Sequence, residues 1–146
     1  MSMYPEQMIA PMRAELTSIG FTELKNAPEV DGALRNASGT TLLVVNSMCG
    51  CAARNARPAI RNAIQHSARP AKLVTVFAGQ DGEATKQARG YITGYPPSSP
   101  SIALLKDGEL VYMMERWQIE GRDALSIAAD LTAAFDEHCA GNTVAR

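Results

Sequence analysis

Apolar side chains recur at helical spacing through residues 5–19, at Met8, Ile9, Met12, Leu16 and Ile19, with Pro11 an irregularity and Gly20 a stop. That pattern predicts a first helix. A shorter helix is expected over residues 27–35, closed by the Ser38-Gly39 turn. Residues 40–46 are then β-branched and almost wholly apolar, the signature of a strand buried on both faces. Ala56, Ala59, Ile60, Ala63 and Ile64 line one side of a helix predicted over residues 52–66, and residues 72–78 repeat the buried-strand pattern. Residues 81–90 read as another helix, opened by Asp81, whose carboxylate is placed to cap the free amides. A proline-rich loop at 95–100 leads into two apolar segments, 101–105 and 110–114, about an Asp107-Gly108 turn, which predicts a hairpin. Leu125, Ala128, Leu131 and Phe135 define a last amphipathic helix over residues 122–138. The order is an αβαβ half with parallel strands followed by a ββα half, an α/β chain.

Size and charge narrow the reading. A chain of 146 residues with 46% hydrophobic and 20% charged residues suits one globular domain, expected over residues 1–140, with 141–146 a flexible C-terminal tail. Fourteen Lys and Arg against fifteen Asp and Glu leave a net charge of −1, which points to neither a nucleic-acid nor a membrane partner. The longest apolar runs fall far short of the ~20 residues that cross a bilayer. The first residues show no basic region feeding an apolar segment, so a cytoplasmic location is expected. Three cysteines are odd in number and too few for a stapling framework, which favours transient or catalytic thiol chemistry.

The placement of those cysteines carries the chemistry. Cys49 and Cys51 flank Gly50 at the turn between the first buried strand and the following helix. A thiol reacts as its thiolate, which unpaired amides and the dipole at a helix N-terminus favour, so Cys49 is expected to ionise below the free value. No acidic residue lies between Asp31 and Asp81, while Arg35, Arg54, Arg57, Arg61, Arg69 and Lys72 do. The local field is therefore positive, although Arg57 and Arg61 taken singly read as a solvated helix face. Across one glycine the two cysteines can meet in a strained and comparatively oxidising disulfide, or Cys49 can carry a mixed disulfide that Cys51 resolves. Met48, Cys49 and Cys51 also offer soft ligands for Cu(I) or zinc, with His138 and Cys139 as further donors. No second ligand pair of familiar spacing completes such a site, so no metal is assigned. Cys139 falls on the packing face of the last helix, with a resolving or regulatory role open, and His66 and His138 read as helix-terminal histidines. Tyr91, Tyr95 and Trp117 are candidates for a groove wall as well as for packing. Ser99-Pro100 sits ahead of the hairpin, where a cis peptide is affordable.

The assembled pattern resembles the thioredoxin fold, with a central mixed sheet flanked by helices and an extra N-terminal helix. More specifically, the chain resembles the bacilliredoxins, small bacterial proteins with a Cys-Gly-Cys motif. The residues that carry the likeness are Gly39 to Ala52 with the cysteine pair, Ala56-Arg57-Pro58-Ala59, Val76 to Asp81, Pro97 to Ser101, Ile119-Glu120-Gly121 and Ala134 to Cys139. They span nearly the whole chain. Arg54 and Asn55 depart from the smaller residues expected just after the motif.

The resemblance implies a thiol-disulfide oxidoreductase that removes the low-molecular-weight thiol bacillithiol from client proteins. Cys49 would attack the mixed disulfide and keep the thiol, free bacillithiol or Cys51 would release it, and a flavin disulfide reductase would close the cycle. No cofactor would be bound, and bacillithiol would serve as co-substrate. By the same likeness Pro100 is the cis proline facing the dithiol, and Gly50, Ser99 and Pro100 contact substrate, with the Ser99 backbone pairing an extended client as an added strand. A general protein disulfide isomerase or reductase, and a soft-metal-binding or thiol-sensing module without turnover, are the alternatives.

Overall fold

The structure, a computed structural model, describes residues 2–140, so the tail expected over 141–146 lies outside the described residues. In chain order the elements are α1 (Glu6–Thr17), β1 (Thr22–Glu23), α2 (Ala27–Leu34), β2 (Thr40–Asn46), a π-helical turn (Ala52–Ala56) leading into α3 (Arg57–Ala63), β3 (Lys72–Phe77), α4 (Gly82–Arg89), β4 (Ser101–Lys106), β5 (Glu109–Met114), a 3-10 turn (Arg116–Gln118) and α5 (Ala124–His138). The strands form one sheet in the order β1-β3-β2-β4-β5. β1 and β2 run parallel to β3, and β4 and β5 are antiparallel to their neighbours, as expected of an αβαβ half joined to a ββα half.

All of β2 is buried because alternate side chains feed two apolar clusters. Leu42 and Val44 pack with Ile102, Leu104, Ile60, Leu131 and Phe135 on the face covered by α3 and α5. Leu43 and Val45 pack with Val74, Val76, Val30 and Ala88 under α2 and α4. The central strand therefore has no polar face to show.

Several details differ from the pattern-based expectation. β1 is only two residues long, too short to register as a periodic signal, and it extends the sheet beside β3. The helix predicted over residues 52–66 starts with a π-helical turn, and α3 ends at Ala63. Pro58 supplies a reason: it has no N–H to bond backwards, and its ring crowds the carbonyl four residues earlier, which widens the turn ahead of it. Asp81 makes no side-chain cap on α4, because Arg13 claims both of its oxygens, at 2.6 and 3.1 Å. Arg13 consequently sits on the inner face of α1 beside Ile9 and Leu16, while Met8, placed on that face by periodicity, is exposed. In α5 the buried stripe is Ile127, Ala128, Leu131, Ala134 and Phe135, and Leu125 points to solvent.

The sheet register places the functional region. Val45 of β2 pairs with Ser101 of β4, and Asn46 pairs with Phe77 of β3. The chain leaving β2 toward Cys49 and the chain entering β4 through Ser99-Pro100 thus emerge side by side. The Ser99-Pro100 peptide is cis, and Pro100 is buried.

Candidate functional site

Arg57 builds the base of the site. Its guanidinium is buried and donates to Glu15 Oε1 at 2.9 Å, Asn46 Oδ1 at 2.9 Å and the Ser47 carbonyl at 2.8 Å. This corrects the solvated-face reading for Arg57, while Arg61 is exposed as that reading held. Asn46 Oδ1 also accepts from the Ser47 amide, so the turn out of β2 is bonded at two successive residues before it reaches the first cysteine.

Cys49 stands at the N-terminal end of the helical segment. Gly50 and Cys51 are already helical, and the Cys49 carbonyl accepts from the amides of Ala52 and Ala53 at 3.0 and 3.2 Å. The Cys49 amide donates to Ser47 Oγ at 3.2 Å. Gly50 has no left-handed backbone, and a methyl group there would come within 2.6 Å of Arg54 Nη2, the far end of a flexible side chain that can move aside. Behind the cysteines, Asn55 Nδ2 donates to the Arg122 carbonyl, tying the π-helical turn to the start of α5.

Both cysteines are half-buried and free, and their surroundings push them apart in acidity. Burial works against a Cys49 thiolate, but the Ser47 hydroxyl, the amides of Ala52 and Cys51 and the Arg116 charge outweigh it, so Cys49 lies below the ordinary thiol range. Cys51 is pushed up, first by burial and then by the charge and hydrogen bond of Cys49, with Glu120 adding to the effect and Arg116 opposing it. The cation that matters is therefore Arg116, sixty-odd positions from the motif, whereas the expected field came from the arginines around the motif itself. Arg116 Nη1 donates to the Ser99 carbonyl at 3.1 Å, Nε to Glu120 Oε2 at 3.1 Å, and Nη2 reaches Cys51 Sγ at 3.8 Å. Glu120 Oε2 lies 3.9 Å from that sulfur. A folded-state pKa below the unfolded one means that the thiolate gains as pH rises through the lower value. The absorbance titration of Cys49 is expected to have its midpoint below the ~8.5 of a free cysteine, and a midpoint at or above that value would contradict this geometry.

Cys49 opens onto a cleft of about 310 Å³ walled by Met3, Tyr4, Met48, Ser99 and Arg116. The segment ahead of α1 is held there by the Met3 amide on the Gly79 carbonyl at 3.0 Å and the Tyr4 amide on Gln80 Oε1 at 3.2 Å. Tyr91 is elsewhere, bonded to Asp31 at 2.6 Å, and Tyr95 and Trp117 are exposed and do not wall the cleft. Cys139 is buried next to Thr40, at the far end of β2 from the motif, so roughly 20 Å of strand separates it from Cys49. Among the described residues no group of three His, Cys, Asp or Glu side chains converges to hold a metal, and no helix is long and apolar enough to cross a membrane.

A family model described as disulphide isomerase matches residues 4–139. A bacilliredoxin of Koribacter versatilis is 57% identical over 144 residues, covering 99% of both chains, and one of Bacillus licheniformis is 53% identical over 137 residues, covering 93% of this chain and 95% of that one. The chain belongs to the bacilliredoxin family. Its fold is thioredoxin-like: a solved protein described as having a thioredoxin fold superposes with a TM-score of 0.60 at 14% identity, over 79% of this chain and 95% of the other. Fasciola hepatica thioredoxin gives 0.57 at 18%, over 81% and 99%. Membership of the bacilliredoxin family, together with that fold, supports a thiol-disulfide oxidoreductase.

Proposed function

We propose that this chain removes bacillithiol from mixed disulfides on client proteins, with Cys49 as the nucleophile and Cys51 as an internal resolving thiol. The Cys49 thiolate attacks the bacillithiol sulfur, the client leaves as a reduced thiolate, and a disulfide joins Cys49 to bacillithiol. A second bacillithiol, or Cys51, then attacks that disulfide and returns Cys49 to its reduced state or closes the Cys49–Cys51 pair. A flavin disulfide reductase regenerates the small thiol, and a reducing cytoplasm is the setting in which the cycle runs. No bound cofactor is required.

The observation that carries this reading is the opposed acidity of the two thiols: the more acidic one faces the open cleft, and the less acidic one lies behind it against Arg116 and Glu120. A thiol of lowered pKa is both the better-populated nucleophile and the better leaving group, which suits a residue that takes up and gives back a small thiol. The Ser99 backbone, which walls the cleft with Cys49, is the edge available to a client. Its carbonyl already accepts from Arg116, so an added client strand shares or displaces that bond.

The description of the matching family model favours one alternative, a general disulfide isomerase. Turnover of a bacillithiolated client is to be compared with turnover of a scrambled-disulfide substrate. The proposal expects the first to exceed the second by at least about tenfold in kcat/KM, and the reverse order would favour the isomerase.

A further inference from the structure

Two anions compete for one cation behind the motif. Glu120 Oε2 accepts from Arg116 Nε at 3.1 Å and lies 3.9 Å from Cys51 Sγ, while Nη2 of the same guanidinium reaches that sulfur at 3.8 Å. A carboxylate is a permanent anion near neutral pH, so it holds the guanidinium and at the same time disfavours a second negative charge on the neighbouring sulfur. The groups that face Cys51 are Cys49, Arg116 and Glu120. Once Cys49 carries a thiol in disulfide linkage its own charge is gone, and at Cys51 burial and the Glu120 carboxylate stand against Arg116.

We infer that Glu120 is a brake on Cys51: placed beside its sulfur and on the guanidinium that would otherwise serve it, the carboxylate slows attack by the second cysteine and prolongs the mixed disulfide on Cys49, so that an external low-molecular-weight thiol completes the cycle in preference to Cys51. This rests on the reading of Cys49 as the nucleophile. In the step being slowed, Cys51 gives its proton to solvent and its sulfur attacks Cys49 Sγ. The bond from Cys49 to the carried sulfur breaks, the small thiol leaves with the electron pair and takes a proton from water, and the two cysteines end as a disulfide. No further oxidant is involved. The arrangement favours the monothiol route although the site holds two cysteines, and Glu120 biases the choice between the two routes.

The test uses the reduced full chain and the aromatic disulfide dithiobis-nitrobenzoate, whose thiolate is coloured on release. One equivalent is released when Cys49 attacks, and a second when Cys51 displaces the adduct. Glu120→Gln keeps the shape and removes the charge. Because a thiolate loses nucleophilicity as it becomes less basic, a tenfold gain in thiolate returns only about a threefold gain in rate. The second phase in E120Q is therefore expected to run faster at neutral pH, by up to about threefold, with its pH midpoint moved down. Glu120→Asp, which restores a carboxylate, should bring the slow phase back, and Arg116→Gln should slow it below wild type. A second phase in E120Q that is unchanged or slower, with the first phase intact, would overturn the brake. A fast first phase that survives Cys49→Ser would instead overturn the assignment of the nucleophile, so the two failures are read from different phases.

Discussion

Replacing Cys49 by serine is expected to lower reduction of a bacillithiolated client by about a thousandfold or more, to the level of the uncatalysed exchange. A serine hydroxyl is not ionised at neutral pH and forms no disulfide, so neither the Ser47 hydroxyl nor the helix amides nor Arg116 can rescue it. Cys51→Ser should have a different effect. Transfer to Cys49 should persist, since the groups that lower its pKa are Ser47, Ala52, the Cys51 amide and Arg116, and only a side chain is changed. What is lost is internal release, so the adduct should accumulate whenever free bacillithiol is withheld. Equal loss in both variants, measured as client thiol appearing with time, would contradict this division of labour.

The largest expected effect on stability lies away from the cysteines, at Arg13. Its side chain is 8% exposed and reaches Asp81 at 2.6 Å, Glu23 at 2.7 Å and Glu6 at 2.8 Å, with the guanidinium carbon 5.4 Å from the Phe77 ring centroid. The three carboxylates come from α1, β1 and the start of α4, so this one cation joins three parts of the chain. Glu6 is mostly solvated and adds little, but Asp81 and Glu23 are largely buried, and of the two only Glu23 would keep an ion-pair partner, the exposed Lys25 at 4.0 Å. Arg13→Met, which keeps the aliphatic stem, should cost about 3 kcal/mol, or about 6–12 °C in Tm, as expected when one partner of a buried ionic cluster is removed. Adding Glu23→Gln and Asp81→Asn to that variant should recover part of the loss. If the triple variant is less stable than Arg13→Met alone, uncompensated charge is not the cause. Titration adds a sign: Glu6 is held below its ordinary value chiefly by Arg13, so its contribution is present above the ordinary carboxylate range and fades as the pH falls through the lowered value.

Much of this architecture was legible because burial on two faces leaves a mark in one dimension. The unbroken apolar run of β2, repeated in β3, required helices on both sides, and the Asp107-Gly108 turn marked the hairpin: both residues adopt positive φ, 52° and 82°, as a tight two-residue connection needs. The cysteine pair between a buried strand and a helix was equally visible, as was the depressed acidity of Cys49, because a helix N-terminus is a local feature. Long-range side-chain partnerships were not. Arg57 looked like a surface residue since nothing in helical periodicity reveals Glu15 and Asn46 waiting in the interior. Asp81 had a local reading as a helix cap, and its contact with Arg13 across 68 positions overrode it. Arg116 and Glu120 reach the motif only because β4 and β5 fold back along β2 and deliver the turn after β5 to the same edge. Glu120 did lie in a stretch that carried the family likeness, which was the one available signal, but that signal did not say what the carboxylate touches.

The most direct test of the central claim is the intact mass of the reduced Cys51→Ser chain after incubation with a client protein bearing a bacillithiol mixed disulfide. The account predicts a gain of one bacillithiol on the chain, located at Cys49 by peptide mapping, and a client recovered as the free thiol. A client that stays modified while the chain stays reduced, or an adduct mapped to Cys139, would contradict it.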